Sequence, residues 1–179
     1  MHDATTLKAV LQKVPPLSRK SVLVTRFVFE VYRLSAASPV GALVNGGRYN
    51  SPGTQALYTS FGRATALAEF TQNFGDDQPI AVASMLNISI FQLQRLVDLT
   101  DPHLTAALGT SVDELTQLRL PRKPIATQYL GDIAENLGVD GLIVWSAQAA
   151  DQKNLVVFPQ NCPAPTAPYL IVTKAARVV

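Results

Sequence analysis

The chain has 179 residues, of which 47% are hydrophobic and 16% charged, a composition typical of one globular domain rather than two. Its net charge of +2 comes from scattered basic residues, which gives no argument for a nucleic-acid partner. No apolar run approaches the roughly 18 residues that a membrane span needs, and the first residues do not have the pattern of a secretory signal. With a single cysteine, Cys162, and two distant histidines, the sequence disfavours a zinc site and suits a reducing cytoplasm.

The first predicted element is a short helix over residues 5–14, where apolar side chains recur at helical spacing. These side chains are Leu7, Val10, Leu11 and Val14. Two consecutive prolines, Pro15 and Pro16, then end the helix. We predict an N-terminal helical arm over residues 1–22, packed on the domain or on a partner, and a domain over residues 23–179.

Residues 26–34 have the period-two alternation of a β-strand, which places every second side chain on one face. That face carries Phe27, Phe29, Val31 and Arg33. Arg33 thus continues an otherwise apolar face, although arginine is rarely buried without a partner. It either reaches water at the end of the strand or is placed to bind an anion.

Residues 41–54 contain four glycines and a proline, a composition that predicts a loop. A short strand over residues 55–59 is centred on Tyr58, and Ser60 is the predicted N-cap of a helix over residues 61–74. Gly75 is predicted to end this helix. Its predicted inner stripe is Ala64, Leu67, Ala68 and Thr71, with Glu69 beside it.

The second half of the chain mixes strands and helices without regular alternation, which indicates an α+β domain. We predict a strand over 80–90, a hairpin of strands 142–146 and 154–158, and an edge strand over 169–173. Helix signals are Asp101 with Pro102 and a stop at Gly109, a capping pair Ser111 and Glu114, and an apolar stripe of Ile125, Tyr129, Ile133 and Leu137 closed by Gly138.

The most informative segment is the glycine-rich stretch of residues 46–53, which holds Arg48. Glycines let a backbone approach a ligand closely, and a guanidinium can pair with phosphate through two parallel hydrogen bonds. Tyr58 and Glu69 follow on the next strand and helix. Taken alone, these three residues are better explained by packing and solvation than by chemistry.

Residues 31–70 resemble the RES family: a Tyr-Arg pair, a Gly-Gly-Arg-aromatic-Asn-x-Pro-Gly loop, a strand with tyrosine, and an Ala-Leu-Ala-Glu helix. Residues 138–146 and 154–158 are similar to the C-terminal strand pair of the family. The resemblance spans about residues 26–160, and Tyr49 stands where the family commonly has tryptophan.

The resemblance implies an α+β fold similar to ADP-ribosyltransferases, with a mixed or antiparallel β core flanked by helices. It implies a cytoplasmic toxin with a cognate Xre-type antitoxin, using NAD⁺ as substrate with no bound cofactor and no metal. The expected reaction is cleavage of the nicotinamide–ribose bond by hydrolysis or phosphorolysis. One alternative is transfer of ADP-ribose to a protein, and a second is a non-catalytic partner-binding domain. The sequence leaves open a homo-oligomer, and nothing in it predicts a contact with membrane or nucleic acid.

The resemblance also implies residue roles. The catalytic set is Glu69, Arg48 and Tyr58: a carboxylate beside an oxocarbenium-like ribose, a cation on the pyrophosphate, and a ring stacked on the nicotinamide. The expected substrate-binding residues are Arg33, Ser146 and Asn154. Ser146 either supplies a hydroxyl to the ligand or bonds the backbone of its own hairpin.

Overall fold

The computed structural model describes residues 1–72, 83–117, 125–162 and 170–177, which form an α+β domain. The helices are α1 (Ala4–Lys13), a 3₁₀ helix (Glu30–Ser35), α2 (Val40–Asn45), α3 (Arg63–Gln72), α4 (Pro102–Ala107), α5 (Val112–Thr116) and α6 (Ala126–Asn136). The strands are β1 (Leu17–Phe29), β2 (Leu57–Ser60), β3 (Ala83–Asp98), β4 (Gly141–Trp145), β5 (Lys153–Val157) and β6 (Leu170–Arg177). Within these ranges no helix has the length and apolar character needed to cross a membrane.

The sheet is mixed, and its pairings close into a ring. The long strands β1 and β3 are antiparallel, and the end of β3 pairs in parallel with β4. The hairpin of β4 and β5 continues through β2, which returns to β1 where Thr25 faces Ser60. β6 pairs with the first half of β3. The predicted mixed β core flanked by helices is therefore confirmed.

The hydrophobic core lies on both sides of this sheet. One cluster joins α1 and α6 to one face of β4 and β5, with Leu11, Leu130 and Val156 fully buried. A second cluster fills the opposite face, and a third packs Phe70 of α3 against Phe27 of β1. The third cluster thus places α3 on β1.

Several local signals are confirmed. Asp101 caps α4 by accepting a hydrogen bond from the backbone N–H of His103, and Gly109 follows that helix with φ of +61°. Ser111 accepts from the backbone N–H of Glu114. Gly138, with φ of +76°, ends α6 and leads into the predicted hairpin of β4 and β5. These features depend on neighbouring residues, so the local sequence determines them.

The strand predicted over residues 26–34 is wrong at both ends. β1 begins earlier, at Leu17, and stops at Phe29, whose partner Ala83 is the first residue of β3. The chain then turns into the 3₁₀ helix, which leaves Val31 and Arg33 exposed. Residues 30–34 therefore have no partner strand among the described residues, so their alternation does not lead to a β-strand.

The predicted inner stripe of α3 is right at Leu67, which packs against the third cluster, but the fully buried positions lie elsewhere. The buried residues are Thr65, Ala66 and Phe70, whereas Ala64 is exposed. Ser60 is not an N-cap, because it is the last residue of β2 and its hydroxyl bonds Asn154. The buried side of α3 differs from the predicted one because the helix packs on the aromatic residues of β1. Gly75, the predicted helix end, lies outside the described residues.

In α6, Ile133 and Leu137 pack against the core as predicted, but Tyr129 is exposed and the fully buried positions include Leu130 and Ala134. The predicted edge strand extends further than expected, as β6 covers Leu170–Arg177. Residues 80–82 of the strand predicted over 80–90, and residue 169 of the predicted edge strand, lie outside the described residues.

The predicted N-terminal helix is confirmed as α1. Its Leu7 and Leu11 are buried in the cluster shared with α6, so this helix packs on the domain. The boundary predicted between residues 22 and 23 falls inside β1. The division of the chain into an arm and a domain stays a prediction.

Candidate active site

The glycine-rich loop between α2 and β2 lies directly over the ring of Tyr58. A Cβ atom on Gly47 would stand only 2.3 Å from the Tyr58 hydroxyl, so this position requires glycine. The hydroxyl accepts a hydrogen bond from the backbone N–H of Tyr49 at 2.9 Å and donates to Oδ1 of Asn50 at 2.8 Å. Burial raises the pKa of Tyr58 above its ordinary value, which keeps the phenol protonated and able to donate. Tyr58 therefore fixes the loop that carries Arg48.

Helix α6 holds the same loop from the other side. Nε2 of Gln128 donates to the carbonyl oxygens of Gly47 and Asn50 at 2.9 and 3.2 Å, and the carboxylate of Asp132 accepts from the backbone N–H of Ser51 at 3.0 Å. Gly131 lies against the loop, because a Cβ there would be 1.9 Å from the carbonyl oxygen of Tyr49. The loop is thus rigidly attached to an α-helix.

Arg48 extends from this loop toward the end of β4. Its Nη2 donates to the carbonyl oxygen of Trp145 at 3.2 Å, and its guanidinium carbon lies 5.4 Å from the centre of the Tyr49 ring. Its Nε is buried, and no acceptor within the described ranges reaches it. A buried N–H without an acceptor is costly in a folded protein. The side chain as a whole is half-buried, and the charge of its guanidinium suits an anionic ligand.

Glu69 is the half-buried centre of a network of polar side chains. It precedes the buried Phe70 on α3, and its Oε1 accepts two hydrogen bonds. One comes from the hydroxyl of Ser146 at 2.7 Å and the other from Nδ2 of Asn154 at 2.6 Å. Both donors belong to the β4–β5 hairpin region, so the sheet sets the direction of a helix-borne carboxylate.

The hydroxyl of Ser146 is fully used by protein groups. It accepts from the backbone N–H groups of Gln148 and Ala149, each at 3.1 Å, and donates its proton to Glu69. A serine hydroxyl has one proton and two lone pairs, so this geometry leaves none of them over. The arrangement favours Ser146 as a residue that orients Glu69, and its predicted contact with ribose or amide stays a prediction.

Five of the six predicted site residues are brought together. Arg48 bonds the carbonyl of Trp145, and the next residue, Ser146, bonds Glu69. Tyr58 pairs with Val156 in the β2–β5 ladder, two positions from the pairing of Ser60 with Asn154. Side chains two residues apart share a face of the sheet, which places Tyr58 on the face of Asn154.

Arg33 is the exception, and its predicted place on a strand facing the site is wrong. It lies on the exposed 3₁₀ helix, where its Nε forms an ion pair with Glu30 at 3.5 Å. The strand that would have carried it ends at Phe29. An exposed arginine with an i,i+3 partner has the character of a solvated surface group, and the predicted role of Arg33 in substrate binding stays a prediction.

Two further polar residues have contacts or burial that were not predicted from the sequence. Ser60 donates to Oδ1 of Asn154 at 2.6 Å, and no short motif signals a contact across 94 residues. Arg26 has a buried Nη1 that meets no acceptor in the described ranges, and burial lowers its pKa to about 10. The sequence indicated this burial, because Arg26 stands between Val24 and Val28 on one apolar face of the strand. The other face carries Thr25, which pairs with Ser60.

Two surface cavities, of about 450 and 650 Å³, lie beside the outer end of the hairpin. Trp145 lines the first and Lys153 the second, and neither is lined by Arg48, Tyr58 or Glu69. The candidate site is therefore defined by its hydrogen-bond network rather than by either of these cavities.

The chain is similar to known proteins in sequence profile and in fold. The sequence profile of the RES domain matches residues 24–174. A chain of the crystal structure of the M. tuberculosis MbcT–MbcA toxin–antitoxin complex is similar in fold, with a TM-score of 0.77 at 21% identity, over 97% of this chain and 92% of that chain. No curated protein sequence matches the chain.

Proposed function

The chain belongs to the RES domain family, and from this premise we propose that it is the toxin of a toxin–antitoxin pair that cleaves the nicotinamide–ribose bond of NAD⁺. The observation that carries the proposal is the Glu69 carboxylate, held by Ser146 at 2.7 Å and Asn154 at 2.6 Å within the matched residues. The toxin–antitoxin complex named for the similar structure supports the biological setting.

The chemistry needs a fixed negative charge. When the bond breaks, its electron pair goes to the nicotinamide nitrogen, which leaves as a neutral base, and the ribose gains oxocarbenium character. A preorganised carboxylate stabilises that positive charge without having to reorganise during the reaction. Glu69 has this property because two donors orient it. Water or phosphate then bonds to the ribose carbon, and water gives up a proton in doing so.

Substrate binding is assigned to the glycine-rich loop. Arg48, with its buried Nε, is the group proposed to hold the pyrophosphate, since a guanidinium matches phosphate oxygens in charge and geometry. Tyr58 is proposed to present its ring to the cationic nicotinamide while its hydroxyl holds the loop. The clamped loop limits the cost of ordering Arg48 when the ligand binds.

The direct test is incubation of the purified protein with NAD⁺, with and without phosphate, followed by chromatographic and mass analysis of products. We expect free nicotinamide in both cases, with ADP-ribose as the partner product of hydrolysis or its phosphate ester as that of phosphorolysis. Labelled ADP-ribose on an added protein would instead support the transferase alternative. NADH is the matched control, because its dihydronicotinamide is a poorer leaving group. Equal consumption of NAD⁺ and NADH would contradict the proposal.

The partner is tested in cells. Expression of the wild-type chain is expected to lower cellular NAD⁺ and stop growth, and the Glu69→Gln variant to do neither. Co-expression with an Xre-type antitoxin encoded beside it is expected to restore growth. Growth arrest by both forms of the chain would show that toxicity does not depend on the proposed chemistry.

A further inference from the structure

Asn154 lies between two side chains that face opposite ends of its amide. Its Nδ2 donates to Glu69 at 2.6 Å, and its Oδ1 accepts from the hydroxyl of Ser60 at 2.6 Å. Ser60 is 3% exposed and Asn154 6% exposed, so water competes little for either contact. The three residues form a chain of hydrogen bonds from β2 through β5 to α3.

The two ends of the amide are chemically different. An ionised carboxylate only accepts hydrogen bonds, so the end of Asn154 that faces Glu69 must be its NH₂ group. The carbonyl end then faces Ser60, which can donate. If the hydroxyl at position 60 were missing, the buried carbonyl would lose this partner, and a rotated amide would place oxygen against the carboxylate. The carboxylate of Glu69 thus sets which end of the amide faces it, and the hydroxyl of Ser60, by donating to the other end, holds Asn154 in the position from which it supports Glu69.

The contact is specific to position 60. In the β2–β5 ladder Ser60 stands directly opposite Asn154, which puts both side chains on one face. The neighbouring Thr59 is on the other face, where its hydroxyl donates to the carbonyl oxygen of Leu155 at 2.9 Å. The two hydroxyls are both buried on the same strand, yet only one reaches the network.

We propose that Ser60 is a positioning residue for Glu69, acting through the side-chain amide of Asn154. The inference rests on the proposed NAD⁺ cleavage for its catalytic meaning. Ser60 itself does not contact the substrate, so its removal acts on the placement of the carboxylate in the transition state. Misplacement of a catalytic group by a fraction of an ångström to an ångström is enough to cost on the order of 10²-fold in rate.

The kinetic test compares Ser60→Ala with Ser60→Thr and with the matched control Thr59→Val. We expect Ser60→Ala to lower kcat for NAD⁺ by about 10- to 100-fold with KM within about twofold, because a contact that matters in the transition state alone lowers kcat without raising KM. Ser60→Thr keeps a hydroxyl and is expected to recover most of the rate, and Thr59→Val to behave as wild type. Wild-type kcat in Ser60→Ala, an equally large rise in KM, or equal losses in Ser60→Ala and Ser60→Thr would each overturn the inference.

A second measurement does not depend on activity. In ¹⁵N-labelled protein, the side-chain NH₂ signals of Asn154 are identified by their loss in Asn154→Ala. We expect these signals to shift and to exchange faster with water in Ser60→Ala, and to stay unchanged in Thr59→Val. If the wild-type protein does not cleave NAD⁺, the proposed function fails while this measurement still decides the link between Ser60 and Asn154. Unchanged Asn154 signals in Ser60→Ala would overturn the inference.

Discussion

At the scale of single residues, the hydrogen bonds of Glu69 allow the effect of its charge to be tested separately from the effect of its orientation. Ser146 and Asn154 both donate to Oε1, so replacing the carboxylate by an amide keeps an oxygen in position to accept. The negative charge is what the substitution removes. This makes Glu69→Gln a test of charge rather than of shape.

We expect Glu69→Gln to reduce kcat for NAD⁺ by about 10²- to 10³-fold, the usual loss when one preorganised electrostatic group is removed. The melting temperature should stay close to that of the wild type. The matched control is Glu135→Gln on α6, a partly buried carboxyl whose pKa is raised by burial and which lies off the Glu69 network. Normal turnover in Glu69→Gln, with an intact fold, would refute the assignment.

The two predicted arginines are separated by the structure. Arg48→Ala is expected to weaken NAD⁺ binding by at least about 30-fold, since loss of one partner of a buried charge pair commonly costs about 2–5 kcal/mol. Arg33→Ala is expected to change affinity by less than about twofold, because Arg33 is exposed and paired with Glu30. Titrations of NAD⁺ in a Glu69→Gln background measure both effects without loss of ligand. Similar losses for the two arginines would show that Arg33 reaches the site after all.

At the scale of elements, the site depends on how closely α6 approaches the glycine-rich loop. Gly131 allows this approach, because any side chain there would collide with the backbone of Tyr49. Gly41 on α2 is a natural comparison, since a Cβ at that position meets nothing within 4 Å. Close packing thus requires glycine at position 131, whereas the space around position 41 would admit a side chain.

We therefore expect Gly131→Ala to lower the free energy of unfolding by about 1–3 kcal/mol through overpacking, and to lower kcat/KM by shifting the loop that bears Arg48. Gly41→Ala is expected to raise the free energy of unfolding by about 0.5–1 kcal/mol, because alanine is the better helix former. Urea denaturation and steady-state kinetics on both variants measure these effects. Equal stability of Gly131→Ala and wild type would mean that the helix and loop can separate at no cost.

At the scale of the whole molecule, what the sequence could predict depends on the distance between interacting residues. The caps at Asp101 and Gly138 and the β4–β5 hairpin were predictable because neighbouring residues determine them. The end of β1 at Phe29 depends on where β3 begins, far along the chain. Extrapolating the alternation past residue 29 therefore misplaced Arg33.

The candidate site follows the same rule. Motif resemblance singled out five residues that the structure brings together, because the family pattern carries non-local information that periodicity lacks; they are Arg48, Tyr58, Glu69, Ser146 and Asn154. It gave no indication of Ser60, whose partner is 94 residues away. The buried face of α3 was also misjudged, since the side that packs depends on the aromatic face of β1 rather than on the helix alone.

Global stability should depend on alkaline pH through Tyr49. Its hydroxyl donates to the carbonyl oxygen of Leu115 at 2.8 Å, and burial raises its pKa to about 12 from the ordinary 10.0. The unfolded chain thus releases this proton first as pH rises. The stabilisation is complete below pH 10 and declines as pH approaches 12, by up to about 1.4 kcal/mol per pH unit.

Urea unfolding between pH 9 and 12 measures this dependence (approximately the range set by the two pKa values). The free energy of unfolding of Tyr49→Phe is expected to fall less steeply over this range than that of the wild type. Tyr129→Phe, at an exposed position, is the control and should follow the wild type. Identical pH profiles for Tyr49→Phe and wild type would contradict the burial argument.

Helix α1 is expected to fold together with the sheet. Leu11 is completely buried in the cluster that α1 shares with α6, β4 and β5, whereas Leu23 on β1 is 62% exposed. Leu11→Ala is therefore expected to lower the free energy of unfolding of the whole domain by about 2–5 kcal/mol, the cost of a cavity in a shared core. Leu23→Ala should change it by no more than about 0.5 kcal/mol.

Trp145 is the sole tryptophan and lies on β4, so its fluorescence reports unfolding of the sheet rather than of α1 itself. In Leu11→Ala we expect a single transition with a lower urea midpoint, followed identically by Trp145 fluorescence and by far-ultraviolet circular dichroism. An arm that folds independently would instead leave the fluorescence midpoint unchanged and lose its helical signal in a separate, earlier step. That result would assign residues 1–22 to a detachable arm, whereas a common shift would make α1 part of the domain that holds Glu69 in place.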